Sequence, residues 1–190
     1  NTYGINSHHM VNKAHKMGKK VVYHGHSTYE DFRNSFTGSN IIAPFFKRYL
    51  VSLYQKADAL ITPTAYSKQL LRAYHLKQPI TPISNGIPLD KYNQNDKKVE
   101  QFRHYFQLSE NQKVVISVGL FFERKGILDF VELAHRHPEF IFIWFGDTDL
   151  RLVPQKIRHL VKENHLPNLI FPGYITGDVI QGAYQGANLF

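Results

Sequence analysis

Between Val114 and Phe130 the chain reads Val-Val-Ile-Ser-Val-Gly-Leu-Phe-Phe-Glu-Arg-Lys-Gly-Ile-Leu-Asp-Phe, and this stretch limits the fold more than any other. Its opening run is β-branched, the composition of a strand covered on both faces of a parallel sheet. Gly119 ends the run, Glu123-Arg124-Lys125-Gly126 follow, and Ile127, Leu128, Val131, Leu133 and Ala134 then recur at helical spacing. A strand that stops at a glycine beside a cation pair and a new helix is a common way to hold a phosphate. The strand's carboxyl end opens a crevice, the helix start offers free amides, and the cations neutralise the ligand. An ordinary strand-to-helix connection with a solvated Arg and Lys fits the same spacing.

The same alternation runs through the rest of the chain, which argues for βαβ units and parallel sheets. Helical patterns are expected over Ser7–Met17, Ile42–Ala57, Ala65–His75 (capped by Thr64), Val99–Phe106, Pro154–His165 and Gly177–Tyr184. Strands are expected at Val21–His24, Ala59–Thr62, Ile80–Ser84, Lys113–Val118, Glu139–Phe145 and Asn168–Phe171. Lys91–Lys98 has almost nothing to bury and reads as a hinge. The expected organisation is therefore α/β, with two doubly wound parallel-sheet, Rossmann-like domains over residues 1–90 and 99–190, both incomplete, joined by a linker at 91–98.

Composition narrows the partners. With no cysteine, the chain has neither disulfides nor thiolate metal sites. A formal net charge of +8 favours an anionic partner: nucleic acid, anionic lipid or a phosphorylated small molecule. No apolar run is long enough to span a bilayer as a helix.

Several short motifs together resemble the family 4 retaining glycosyltransferases. Their donor-binding loop usually reads Val-Gly-Arg, a few residues, then Glu-Lys-Gly; here Val118-Gly119, Glu123, Lys125 and Gly126 match it. The resemblance implies that Gly119 and Lys125 receive the diphosphate of a nucleotide sugar. Leu120 stands where the family has Arg, and Arg124 is expected to take its place. Phe145-Gly146-Asp147 resembles the family's Gly-Asp-Gly, with Thr148 in place of the second glycine. Phe171-Pro172-Gly173-Tyr174-Ile175 resembles its Phe-any-Gly-any-Val, whose backbone reads the base. Asn85-Gly86-Ile87 resembles its Asn-Gly-Ile-Asp. Gly86, Gly146, Tyr174 and Ile175 are thus implied donor contacts. His26 occupies the position of the family His that touches the donor sugar, and is the implied catalytic residue.

The wording from Leu120 to Phe130 is closer to the bacterial glycolipid branch, which glycosylates diacylglycerol or glucosyl-diacylglycerol. The resemblance implies a GT-B fold and transfer of glucose or galactose, with retention, from a UDP-sugar to a diacylglycerol-type lipid. It also implies a peripheral location on the cytoplasmic face of the plasma membrane. No cofactor and no metal are expected, UDP-sugar being a co-substrate. The chain starts without Met and ends in Ala187-Asn188-Leu189-Phe190, which reads as the start of another strand. It is therefore expected to be an internal fragment, inactive alone, with the family's paired glutamates beyond it.

Other residues bear on chemistry directly. His24 and His26 are two apart and could share one side of an extended chain, but no third metal ligand lies near in sequence. Glu30 and Asp31 are adjacent, so they cannot flank one bond as glycosidase carboxylates do; they are expected to cap a helix or line the acceptor entrance. Asp147-Thr148-Asp149 could hold a cation against a diphosphate, yet its setting favours the metal-free reading. Phe46, Lys47 and Arg48 form a basic aromatic stretch that either faces the core with a solvated rim or meets an anionic membrane. Three alternatives remain: a family 4 enzyme with a polysaccharide or other non-lipid acceptor, a basic nucleic-acid-binding module, and a nucleotide-dependent enzyme of another doubly wound family. The second has no recognition motif to support it, and the third lacks the dinucleotide glycine fingerprint.

Overall fold

A computed structural model describes residue 4, residues 6–33 and residues 35–190. The chain divides into two compact units, one comprising Asn1–Asn34 and Gly38–Ile87, the other Ser35–Thr37 and Pro88–Phe190.

The first unit contains α1 (Ser7–Lys16), β1 (Val22–His24), α2 (Tyr29–Phe32), α3 (Ser39–Tyr54), β2 (Ala59–Thr62), α4 (Ala65–Arg72) and β3 (Ile80–Pro82). Its strands form a parallel sheet in the order β1-β2-β3, with Tyr23 beside Leu60 and Leu60 beside Ile80. Val11 of α1, Leu50, Leu53 and Tyr54 of α3, and Leu71 of α4 pack with these three residues into one core. Thr64 caps α4 as expected, its hydroxyl accepting from the Ser67 amide at 3.0 Å. At the entrance to β2, Asp58 accepts from the Val21 amide (2.8 Å), Lys20 Nζ (3.0 Å) and His15 Nε2 (3.0 Å). These contacts, the Val21 amide foremost, hold its carboxyl well below the usual carboxylate range.

Helix α3 begins at Ser39, three residues before the expected start, and so carries Pro44 inside it. Pro44 has no N–H to give to the carbonyl of Asn40, which falls in the turn before it. The buried side of α3, with Ala43, Leu50, Leu53 and Tyr54, decides which residues the helix turns outward.

The second unit contains α5 (Asp96–Tyr105), β4 (Lys113–Val118), α6 (Ile127–Arg136), β5 (Phe140–Phe145), α7 (Gln155–Lys162), β6 (Leu169–Gly173) and α8 (Asp178–Gly186). The sheet is parallel in the order β4-β5-β6, and Leu189 adds an isolated parallel bridge to Val115 on the other side of β4. Along β5, Phe142 and Trp144 join a core with Ile127 and Phe130 of α6 and Ile157 of α7. Ile143 and Phe145 point the opposite way, into a core with Phe102 of α5 and Ala183 of α8. Period-two alternation with apolar residues on both faces is why Phe-Ile-Phe-Ile-Trp-Phe reads as one unbroken hydrophobic run.

Helix α5 starts within the stretch expected to be a linker. Asn95 supplies its cap, accepting from the Lys98 amide at 3.3 Å, and Phe102 is the buried residue of the helix. The helix expected over Val99–Phe106 is thus present with its start three residues earlier, because the first turn, Asp96-Lys97-Lys98, is charged and has no buried residue. Against α5 lies α8, and the two approach backbone to backbone. A Cβ on Gly182 would sit 1.9 Å from the Lys98 carbonyl oxygen, and one on Gly186 would sit 2.7 Å from Val99 Cγ1. Lys98 Nζ also pairs with Asp178 at 3.2 Å in the first turn of α8 and donates to Gln181.

Candidate functional site

The site follows from strand register in the second unit. Strands β4 and β5 pair without a shift from Lys113–Phe140 to Val118–Phe145, so both end at one level and Gly119 lies beside Gly146. The Gly119 amide donates to the Phe145 carbonyl at 2.9 Å, and the Gly119 carbonyl accepts from Trp144 Nε1 at 2.9 Å. Gly146 has φ +130°, and a Cβ there would stand 2.2 Å from the Gly119 oxygen. No other residue fits this position, because the strain and the clash fall on backbone that cannot yield.

Between β5 and β6 the register slips: Ile143 pairs with Ile170, whereas Phe145 pairs with Gly173. Pro172 lies in the extra residue's span and has no amide for the ladder, so the bulge forms there. Gly173, at φ +78°, then turns the chain, and its carbonyl accepts from the Gly146 amide at 2.8 Å. The turn leaves Tyr174 82% exposed.

These three strand ends enclose a cavity of about 310 Å³. Four residues singled out in the sequence line it together: Gly119, Gly146, Tyr174 and Ile175. Its other walls are Val118 at the end of β4 and Leu120 after it, Phe145 at the end of β5 and Asp147 after it, all within the motifs read from sequence, and Ile180 of α8, which no motif pointed to. The carboxyl edge of a parallel sheet is where proteins of this architecture commonly hold small molecules, and apolar walls with a few polar groups suit one.

Arg124 and Lys125 are not among the lining residues. They lie on a 3-10 turn, Glu123–Lys125, and both are exposed. Gly126, at φ +78°, ends that turn and opens α6. The Lys125 stem runs along Gly119, its Cδ 3.6 Å from where a Gly119 Cβ would be, which puts a flexible cation within reach of the cavity rim. The Arg124 guanidinium stacks over Phe122 at 5.6 Å, and its Nε donates to Ser35 Oγ of the same unit at 3.4 Å.

The two aspartates after β5 have different surroundings. Asp149 is gripped by Arg151, with Nε 3.0 Å from both carboxylate oxygens and Nη2 2.6 Å from Oδ2. That pairing lowers its pKa to about 2. Asp147 accepts the Thr148 amide at 2.8 Å and lines the cavity. Among the described residues no three His, Asp or Glu side chains are grouped to hold a metal ion.

In the first unit, His24 and His26 flank the exit of β1. Their rings lie 4.0 Å apart and His26 Nε2 is 3.2 Å from His24 Nδ1, so each ring has the other as a partner. Both are exposed. The cap of α2 is Thr28, which accepts from the Asp31 amide at 3.2 Å; neither Glu30 nor Asp31 fills that role. Glu30 instead accepts from Tyr74 at 2.5 Å. Burial and this bond push the Tyr74 hydroxyl above its ordinary value. Gly86 is exposed with open space where a Cβ would go, so nothing in its own unit requires a glycine.

The expected membrane-facing trio separates. Phe46 stacks on Phe32 with ring centres 4.2 Å apart, and Lys47 sits over the rings of Tyr74 (4.8 Å) and Tyr29 (5.3 Å). Arg48 alone of the three is exposed. The outward apolar residues of α3 are Ile41 (77% exposed), Ile42 and Phe45 (75% exposed), which precede the expected set in sequence. Packing accounts for the difference: Phe46 and Lys47 lie on the side of α3 that meets Phe32, Tyr29 and Tyr74, which leaves Ile41, Ile42 and Phe45 outward. No helix among the described residues is long and apolar enough to cross a membrane.

Two parallel-sheet units, the second with a cavity at its strand ends, match solved structures of the GT-B glycosyltransferase fold. The Anabaena protein Alr3699/HepE, solved in complex with UDP-glucose, matches it at TM-score 0.71 with 17% identity, over 95% of this chain and 48% of that one. A sucrose-phosphate synthase from Thermosynechococcus elongatus matches at TM-score 0.67 with 20% identity, over 88% and 42%. In sequence, residues 1–91 match Glycosyltransferase Family 4. The processive diacylglycerol alpha-glucosyltransferase of Acholeplasma laidlawii is 49% identical over 180 residues, 93% of this chain and 54% of that protein. The alpha-galactosylglucosyldiacylglycerol synthase of Streptococcus pneumoniae (strain ATCC BAA-255 / R6) is 31% identical over 156 residues, 77% and 42%. The chain belongs to glycosyltransferase family 4, and it spans about half the length of these curated relatives.

Proposed function

We propose that this chain is the portion of a retaining hexosyltransferase that carries its UDP-sugar pocket, and that the whole protein moves glucose or galactose to a diacylglycerol-type lipid. The observation that carries the reading is the cavity at the ends of β4, β5 and β6, where Gly119, Gly146, Tyr174 and Ile175 converge. Its support in sequence is the 49% identity to a diacylglycerol glucosyltransferase. In this reading the base lies towards Tyr174 and Ile175 and the diphosphate towards Gly119. Lys125 swings in from its turn to balance the charge that develops as the nucleotide leaves, with Arg124 as second cation. His26 hydrogen-bonds a sugar hydroxyl or eases developing charge. No metal takes part, so transfer should persist in EDTA.

The lipid acceptor places the protein at a membrane surface. Ile41, Ile42 and Phe45 enter the head-group zone and Arg48 meets anionic lipid, in place of the Phe46–Lys47 pair suggested by sequence. Replacing Ile41 and Phe45 with Glu should lower co-sedimentation with phosphatidylglycerol vesicles; unchanged binding would remove this surface from the account.

Calorimetric titration of this chain with UDP, UDP-glucose, UDP-galactose and NAD tests the pocket. UDP and one UDP-hexose should bind and NAD should not. Lys125→Glu should weaken UDP about tenfold or more, as expected for losing a charge-assisted contact and adding a repulsive one. Failure of the unmodified chain to bind UDP would overturn the reading.

A further inference from the structure

The loop that frames the diphosphate end of the cavity is held by a side chain that sequence comparison would count as a loss. Thr148 Oγ1 accepts from the Phe121 amide at 2.8 Å, tying the segment after β5 to the segment after β4. Thr148 is itself fixed, its own amide donating to Asp147 Oδ1 at 2.8 Å. The Phe121 side chain is buried and meets Phe171 edge to face at 5.7 Å, so its amide has little freedom to find another partner. From Phe121 the bonds continue: the Phe122 amide donates to the Leu120 carbonyl at 2.7 Å, and the Lys125 amide donates to the Phe122 carbonyl at 2.9 Å. One run of hydrogen bonds thus leads from the Thr148 hydroxyl to the backbone of Lys125, with Leu120 held at the cavity wall on the way. A glycine at 148 would leave the Phe121 amide without that partner.

We propose that Thr148 is a positioning residue for the diphosphate half of the nucleotide, acting through the Leu120–Lys125 turn. The proposal rests on the UDP reading and adds to it a residue with no direct ligand contact. The hydroxyl sets the turn before the nucleotide arrives, so that binding does not have to order it. Its influence is confined to the Gly119 end; the Tyr174–Ile175 end is held separately by the Gly146–Gly173 bond.

The test compares UDP with uridine on this chain by calorimetry. Thr148→Val keeps the shape and removes the acceptor; Thr148→Ser keeps the acceptor. Thr148→Val should weaken UDP about 3- to 10-fold, the range for one lost hydrogen bond, while uridine affinity stays put and Thr148→Ser restores UDP binding. A general loosening of the fold would weaken both ligands alike, and that result would overturn the proposal. Unchanged UDP affinity in Thr148→Val, or no restoration by Thr148→Ser, would overturn it too. All three outcomes leave the UDP reading standing, which fails only if the unmodified chain does not bind UDP. Melting temperatures of both variants show that each is folded when titrated.

Discussion

The two sheets have the same number of strands in the same kind of order, and their carboxyl ends are built from opposite materials. At the end of β1, side chains do the holding: His24 lies against His26, the Thr62 hydroxyl donates to the Gly25 carbonyl at 3.2 Å, and the Tyr54 hydroxyl donates to the Ser27 carbonyl at 3.0 Å. At the ends of β4 and β5, backbone lies on backbone, with Gly146 pressed to the Gly119 carbonyl. A junction made by side chains can lose one bond and keep the rest. A junction where backbone presses on backbone leaves no room for a side chain at its contact, and it is the one that borders the cavity.

That contrast can be broken experimentally, and the largest effect should come from Gly146→Ala. Clash with the Gly119 oxygen and a strained φ together should cost about 3–5 kcal/mol and abolish UDP binding, measured by denaturant unfolding and calorimetry. Gly182→Ala comes next at about 2–3 kcal/mol, because the new methyl meets the Lys98 carbonyl between α5 and α8. A smaller effect, visible through its pH dependence, belongs to Asp58 in the first unit. Its folded-state pKa is depressed, so its contribution is fully present above the unfolded value near about 4 and is lost as pH falls through the lower folded value. Asp58→Asn should therefore melt below the unmodified chain at neutral pH, and the two melting curves should converge as pH drops below about 4. The smallest effect should be Gly86→Ala, within about 0.5 kcal/mol, since open space surrounds that residue. A large loss there would show that sequence had assigned Gly86 a backbone duty its own unit does not display.

The strands were the legible part of the fold. Lys113–Val118 and Ala59–Thr62 are legible to the residue because short β-branched runs bounded by polar or glycine residues admit little else. The cavity was half legible. Gly119, Gly146, Tyr174 and Ile175 came from a family resemblance, and geometry supplies the reason they belong together: level strand ends and a bulge at Pro172. Leu120 and Thr148 stand out in sequence as departures from a pattern, and only coordinates show that the Thr148 hydroxyl clasps the turn bearing Leu120. The Trp144 bond to the Gly119 carbonyl was not legible, because a tryptophan in an apolar run reads as filling and its N–H has no signature in sequence. Helix faces were the least legible. On α3 apolar and basic residues adjoin one another, and only the packing of Phe46 on Phe32 and of Lys47 on Tyr29 and Tyr74 shows that Ile41, Ile42 and Phe45 are the exposed ones. The first turn of α5 read as linker because Asp96, Lys97 and Lys98 are charged.

The contact between α5 and α8 reaches further than packing. Because Gly182 and Gly186 bring the two helices together without cushioning side chains, and Lys98 links α5 to the first turn of α8, the pair should tilt or shift as a single lever. Ile180 rides on that pair at the cavity wall, so the fit of α5 against α8 also bears on the width of the cavity.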